Sequence, residues 1–391
     1  MKKQILALSV AAIFSGISVA QAEVTLFDYQ EATSNYEEAY INGSFNASKD
    51  RDDAQTQYNF TVDTTYDRTI STPNRDLNFG GDIKGTVSRS GAEDADSVDS
   101  YTASASVTAD NYFQPNSNGA FWYGEANVEN RDDYDNIASE ATVGLGYGRT
   151  VNATPMAKVI RLMDELASRG LLNSRPSKAA HQELAKIVDR ENEYYARYRN
   201  MQDNEAELRW IGDMEKVLRE SGALKKGNAS GIALTMRQVM LEDGFLTRRI
   251  GWKVRGGVGY VFSTPYDNDG SDSNPKLDLG AEYHMPLSKY TQFSNEAKFT
   301  TVLDDGDDNY IFNNTMAYGY EIDDYLTWRN TWELGYEDST EITRNRLTSG
   351  VLYELNNTLD LGADVTVVND SGSANDGTDT SFNTSLRYRL R

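Results

Sequence analysis

I-G-W-K-V-R-G-G-V-G-Y-V-F, residues 250–262, decides the fold. Ile250, Trp252, Val254, Val258, Tyr260 and Phe262 fall on one face, and Lys253, Arg255, Gly257 and Gly259 on the other. A period of two puts successive side chains on opposite faces of a strand. One face is apolar and aromatic, the other charged or bare. The same alternation runs through residues 39–47, 58–66, 77–87, 101–109, 120–128 and 137–147 before this stretch. After it come 277–287, 293–303, 310–320, 326–336, 347–355, 359–367 and 382–390. The reading is about fourteen strands, six before a break in the pattern and eight after it.

The break covers residues 153–248. Thr154-Pro155 opens a helix by capping and by the fixed φ of proline. Val159, Ile160, Leu162, Met163 and Leu166 follow at helical spacing, and Gly170 ends them. Similar runs after Pro176, around Leu208–Leu218 and from Ile232 to Met240 predict a bundle of three or four amphipathic helices. His181 reads as an exposed helix residue, and Tyr194, Tyr195 and Tyr198 as packing the bundle.

Composition narrows the chemistry. The chain has 391 residues, 38 Lys+Arg against 60 Asp+Glu, a formal charge of −22, two His and no Cys. So acidic a chain repels phosphate, which excludes nucleic acid as a partner. Without Cys there is no thiolate catalysis, disulfide or Cys-held zinc. No cofactor, metal site or catalytic constellation is expected. His284 is the one candidate base, with no serine singled out beside it, and Asp267-x-Asp269-x-Ser271 lacks the glycine and distant Glu of a calcium loop. The mean hydropathy of −0.62 suggests a soluble protein. That suggestion misleads for strands that are apolar only at every second residue.

Residues 1–22 read as a secretory leader: Lys2 and Lys3, an apolar run from Ile5 to Val19, and the small-x-small site Ala20-Gln21-Ala22. No later stretch is long and apolar enough for a membrane helix. The expected domains are therefore leader 1–22, strands 23–152, helical insertion 153–248 and strands 249–391. The odd-to-even connections are long and acidic, as at Asp50-Arg51-Asp52-Asp53 and Asp304-Asp305-Gly306-Asp307-Asp308. The even-to-odd ones are short, as at Ser288-Lys289 and Asn356-Asn357. Short turns on one side and long loops on the other mark barrels of the bacterial outer membrane, and the parity puts the helices on the periplasmic side.

The last strand, with Phe382, Thr384, Leu386, Tyr388 and Leu390 on one face, is similar to the C-terminal signal of such barrels, although Arg391 replaces the usual final aromatic. Together these features resemble Gram-negative outer-membrane β-barrel proteins of the porin-like kind. The resemblance is architectural. It implies an all-β transmembrane barrel of antiparallel strands with an inserted α-helical periplasmic domain, set among outer-membrane lipid and lipopolysaccharide.

By the alternation, the lumen is lined by Asp63, Asp82, Lys84, Glu125, Glu140, Lys253, Arg255, Asp278, Glu282, His284, Glu296, Lys298, Arg329, Glu333, Arg346, Asp364, Arg387 and Arg389. Such a wall suits a channel for small hydrophilic solutes; the other reading is a filled barrel whose charges pair across strands. Gly144, Gly146, Gly148, Gly257 and Gly259 flank the insertion. They are expected to clear room for a helical plug, or else for wall curvature or a neighbouring ring. The helices are expected to gate the channel. In the alternative role the barrel is a non-transporting anchor whose helices dock a periplasmic protein partner. Asn295, Asn314 and Asn330 are polar exceptions on the lipid face. They mark either an oligomer interface or a slip in the alternation.

Overall fold

The computed structural model describes residues 24–29, 33–49, 54–198, 201, 204–264, 274–303, 309–356, 358–372 and 376–390. The leader and the acidic stretches 50–53 and 304–308 lie outside the described residues, as does the weak calcium-loop stretch 267–271.

Six strands come first: β1 Ser34–Ser48, β2 Gln57–Thr72, β3 Arg75–Arg89, β4 Val98–Tyr112, β5 Ala120–Arg131 and β6 Ala138–Asn152. Five helices follow: α1 Thr154–Ser168, α2 Lys178–Asp189, α3 Glu191–Tyr198, α4 Glu205–Glu220 and α5 Ala229–Arg237, the last running into a π turn, Gln238–Glu242. Eight strands complete the chain: β7 Arg249–Ser263, β8 Pro275–Ser288, β9 Thr291–Val302, β10 Asn309–Glu321, β11 Leu326–Glu337, β12 Ile342–Asn356, β13 Leu359–Ser371 and β14 Gly377–Arg389. Every strand pairs antiparallel with its sequence neighbours, and β14 pairs with β1, so the sheet is a closed fourteen-strand barrel. The closing seam is short. It runs from Tyr40 opposite Arg389 to Ser44 opposite Ser385, whereas β1 and β2 pair from Ser34 opposite Ser71 to Ser48 opposite Gln57.

The alternation sorts the two faces of the wall. Phe45, Ile83, Val143, Leu145, Val258, Leu279 and Phe382 are all exposed on the outside, which leaves an apolar belt uncovered by protein. Aromatic pairs border it: Tyr147 stacks on Trp252 and Tyr310 on Tyr336. An exposed apolar belt edged by aromatics on a closed barrel is a lipid-facing surface. No described helix is long and apolar enough to cross a membrane; the strands do the crossing.

The helices have their own core. Leu162, Leu166, Leu184, Trp210, Met214, Leu218 and Met236 are buried together, and Leu26 and Tyr29, ahead of β1, join them. The indole of Trp210 donates to the Ile187 carbonyl at 2.8 Å. The expected second helix divides at Arg190 into α2 and α3, which is why five helices stand where three or four were read. His181 is buried, not exposed, with Nδ1 3.0 Å from the Ser177 carbonyl. No residue of α3 is fully buried; Tyr194 leans on the core and donates to Asp213 at 2.5 Å.

Candidate functional site: the charged lumen and the strap across its mouth

The inward faces of β4 to β9 carry a connected set of charges. Lys253 donates to Asp110 at 2.8 Å and lies 3.6 Å from Glu282. Arg255 donates to Glu282 at 2.5 Å and stands 3.8 Å from Glu125. Lys298 of β9 reaches Glu125 of β5 at 2.8 Å. Those strands are four apart, so the contact passes through the interior. Lys276 sits 2.8 Å from both Glu140 and Asp278, and Asp278 also accepts from Thr142 at 2.5 Å and Thr300 at 2.7 Å. His284 is buried; its Nδ1 lies 2.9 Å from the Ser294 hydroxyl, and its Nε2 3.7 Å from Glu282 and 3.8 Å from Glu296. The remaining inward charges stand apart. Asp63 accepts from Asn42 at 2.6 Å and stands directly opposite Lys84 on β3, with Asp82 two residues away on that strand. Glu333 and Arg346 face each other at 3.6 Å, and Asp364 accepts from Asn383 at 3.1 Å. Arg387 grips Asp360 at 2.7 Å and, with Arg389, covers the Tyr40 ring. Arg329 sits one strand pair away on β11, opposite Gly350.

Three of these glycines face rings of the wall itself, the neighbouring-ring reading and not the plug. A Cβ on Gly144 would meet Tyr123 at 2.6 Å, one on Gly146 would meet Phe121 at 2.2 Å, and one on Gly257 would meet the Tyr123 hydroxyl at 2.5 Å. At Gly148 and Gly259 the nearest groups are the Trp252 and Ala141 carbonyls. Phe121 and Tyr123 thus fill the space over β6 and β7, and none of the five glycines meets a helix.

The helical unit meets the rim through a chain segment that periodicity does not mark. Residues 243–248, Asp-Gly-Phe-Leu-Thr-Arg, link the π turn to β7 and lie as a chord across the barrel end. On one side the Thr247 hydroxyl sits 2.8 Å from the Tyr36 hydroxyl of β1 and donates to Glu38 at 3.3 Å. On the other, Leu246 occupies a notch over Gly319 of β10, where a Cβ would be 2.3 Å from its side chain. Gly244 passes beneath Glu354 of β12, with no space for a side chain. Glu321, at the end of β10, gathers these elements. It accepts from Arg161 of α1, from Arg248 at 3.1 Å and from the Leu246 amide at 2.5 Å. Arg248 is fully buried, and the Arg161 guanidinium lies 4.0 Å over the Phe245 ring. Above the strap a cavity of about 470 Å³ lies between helices and wall, lined by Tyr36, Glu38, Lys158, Asp189, Phe245 and Arg389 among others. Inside the barrel another of about 240 Å³ includes Asp67, Arg249, Arg255, Glu282 and Glu296.

Sequence reading missed Asp110, Glu321, Arg161, Arg248 and the strap. Asp110 falls one residue past the alternating run 101–109, and Glu321 one past 310–320. A charge at the very end of an alternating run is the signal that marks such residues.

A family model described as Protein of unknown function, DUF481 matches residues 245–317, from the strap into β10. No curated protein matches the sequence. Among solved structures, an anion-selective porin from Comamonas acidovorans is similar with a TM-score of 0.36 and 7% identity, over 92% of this chain and 100% of that one. The translocator domain of autotransporter NalP from Neisseria meningitidis gives 0.31 and 7%, over 94% and 92%. The outer membrane channel DcaP of Acinetobacter baumannii gives 0.33 and 9%, over 92% and 98%. The closed even-stranded wall, its bare apolar belt and its charged interior decide the class. The protein is an outer-membrane β-barrel.

The cap holds two carboxyls that burial keeps above their ordinary range. Burial, then the neighbouring Asp324 carboxylate, push the Asp243 carboxyl up to about 6, against a downward pull from Arg161. Burial against β1 does the same to Asp189, which Ser34 only partly offsets. A carboxyl whose pKa is raised by docking favours the docked state most below its free pKa, and loses that advantage as pH rises through about 6. Cap docking should therefore strengthen between pH 7.5 and pH 5. Limited proteolysis of 243–248 at the two pH values checks this: slower cleavage at pH 5 is expected, and the difference should shrink in Asp189→Asn/Asp243→Asn.

Proposed function

We propose that this barrel is a gated channel for small hydrophilic solutes, with the helical domain in the periplasm and residues 243–248 as its gate. The carrying observation is the strap itself: a charged lumen crossed at one end by a single segment, held by one buried ion triad. A polar wall bearing both signs of charge passes hydrated solutes, and a latch of few contacts suits a two-state mouth. Leu208 and Leu234, each 66% exposed on α4 and α5, favour a second use of the helices as a docking face for a periplasmic partner.

The chain has no Cys, so the gate can be locked by design. In Leu246→Cys/Gly319→Cys a disulfide would pin the strap in its notch. In planar bilayers the oxidised variant should stay silent and conduct after reduction. Equal conductance in both states would remove the gate, and silence of folded protein in every state would remove the channel.

A further inference from the structure

At mid-height the lipid face is apolar on most of the wall, where Ile83, Ala105, Leu145 and Val365 point outward. Four consecutive strands break the rule. Asn295 is fifth of 12 residues in β9, Asn314 sixth of 13 in β10, Asn330 fifth of 12 in β11 and Ser349 eighth of 15 in β12. Their neighbours on each strand, such as Glu296, Thr315 and Arg329, face inward, so the alternation has not slipped.

These groups satisfy one another only in part. Asn295 Nδ2 donates to Asn314 Oδ1 at 2.8 Å, and the Ser349 hydroxyl donates to Asn330 Oδ1 at 2.7 Å. The Asn330 amide nitrogen is enclosed by the wall without a partner, Asn295 Nδ2 also donates to the Thr315 carbonyl at 3.3 Å, and the Asn314 amide nitrogen donates to nothing among the described residues. Acyl chains offer no acceptor, and the middle of the membrane is where an unmatched polar group is least tolerated. A carboxamide is donor and acceptor at once. A second copy turned about a two-fold axis brings the same amides face to face, each supplying what the other lacks.

We propose that the lipid face of β9 to β12 is a contact surface between two copies of this chain, with the Asn314 amide nitrogen of each donating to the Asn295 carbonyl oxygen of the other. The surface lies on the outside of the wall and is independent of the gate.

The test uses the full chain refolded into lipid nanodiscs large enough for two copies. Asn314→Cys introduces a single thiol at the surface, and Ile83→Cys places one on β3, seven strands round the ring. Oxidation should give several-fold more covalent dimer from Asn314→Cys. The unsubstituted protein should have the mass of two chains, and Asn295→Leu/Asn314→Leu/Asn330→Leu that of one. Equal cross-linking at both positions, or a one-chain mass for the unsubstituted protein, overturns the proposal. So does a triple variant that keeps the unsubstituted mass and resists heat better, the result expected if these residues face lipid. Capture of a different membrane protein by Asn314→Cys in native membranes, with no self-adduct, also overturns it.

Discussion

Glu321→Gln should convert a mostly closed barrel into a mostly conducting one. The wild-type carboxylate is almost completely enclosed and faces two guanidiniums, one of them fully buried. Removing its charge leaves buried Arg248 without a carboxylate, beside an Arg161 that keeps only the exposed Asp324 at 3.8 Å. Breaking a buried pair this way typically costs about 3–5 kcal/mol, because the partner charge stays desolvated. The closed state bears that cost, since opening returns both arginines to water. A shift of this size multiplies the open-to-closed ratio by a factor on the order of 10² to 10⁴. Single-channel recording gives the open probability, and the mobility shift between unheated and heated samples shows that the barrel has folded. An unchanged open probability in folded Glu321→Gln would mean that the triad holds the helices without governing the mouth. Arg161→Met is the milder control, since it leaves Arg248 paired with Glu321.

Lys253→Met should have the largest effect on the barrel itself. Asp110 is wholly enclosed, its nearest cation is Lys253 at 2.8 Å, and its other oxygen has no hydrogen-bond partner. Without the ammonium, the carboxylate depends on Arg255 at 3.9 Å, which Glu282 already holds. The expected loss is again about 3–5 kcal/mol, read as a lower urea midpoint of the refolded protein in detergent. Adding Asp110→Asn should restore most of it, because the charge that lost its partner is then gone. Arg346→Met sets the scale: that pair with Glu333 is about half exposed on both sides and should change stability by less than about 1 kcal/mol. If both single variants unfold alike, the lumen is wet throughout and burial does not rank its ion pairs.

The same contrast shows what could be read before the fold was known. Alternation fixes which residues share a face, so Lys253, Arg255, Glu282, His284 and Lys298 all point inward together. Alternation does not say which partners meet across the interior. The meeting of Lys298 with Glu125 depends on ring closure, a property of all fourteen strands. For a similar reason the glycines left a plug, wall curvature and a neighbouring ring all open. A bare stretch in β6 and β7 shows only that something fills it, and the fillers, Phe121 and Tyr123, belong to β5, on the face opposite its apolar run. The strap left no periodic trace, because a segment stretched between two elements obeys neither period. Its signature was composition: glycine, a ring, an aliphatic residue and an arginine directly before a strand.

The short seam between β1 and β14 adds a mechanical meaning to the strap. A ring is as strong as its weakest joint, and here that joint has the fewest rungs. Thr247 holds β1 beside the joint, while Leu246 and Arg248 hold β10, four strands round from β14. The segment is thus a tie-rod spanning the weak side of the hoop. Release of the mouth should also slacken the hoop, and amides of Tyr40 to Ser44 should be among the first in the wall to trade their hydrogens for deuterium.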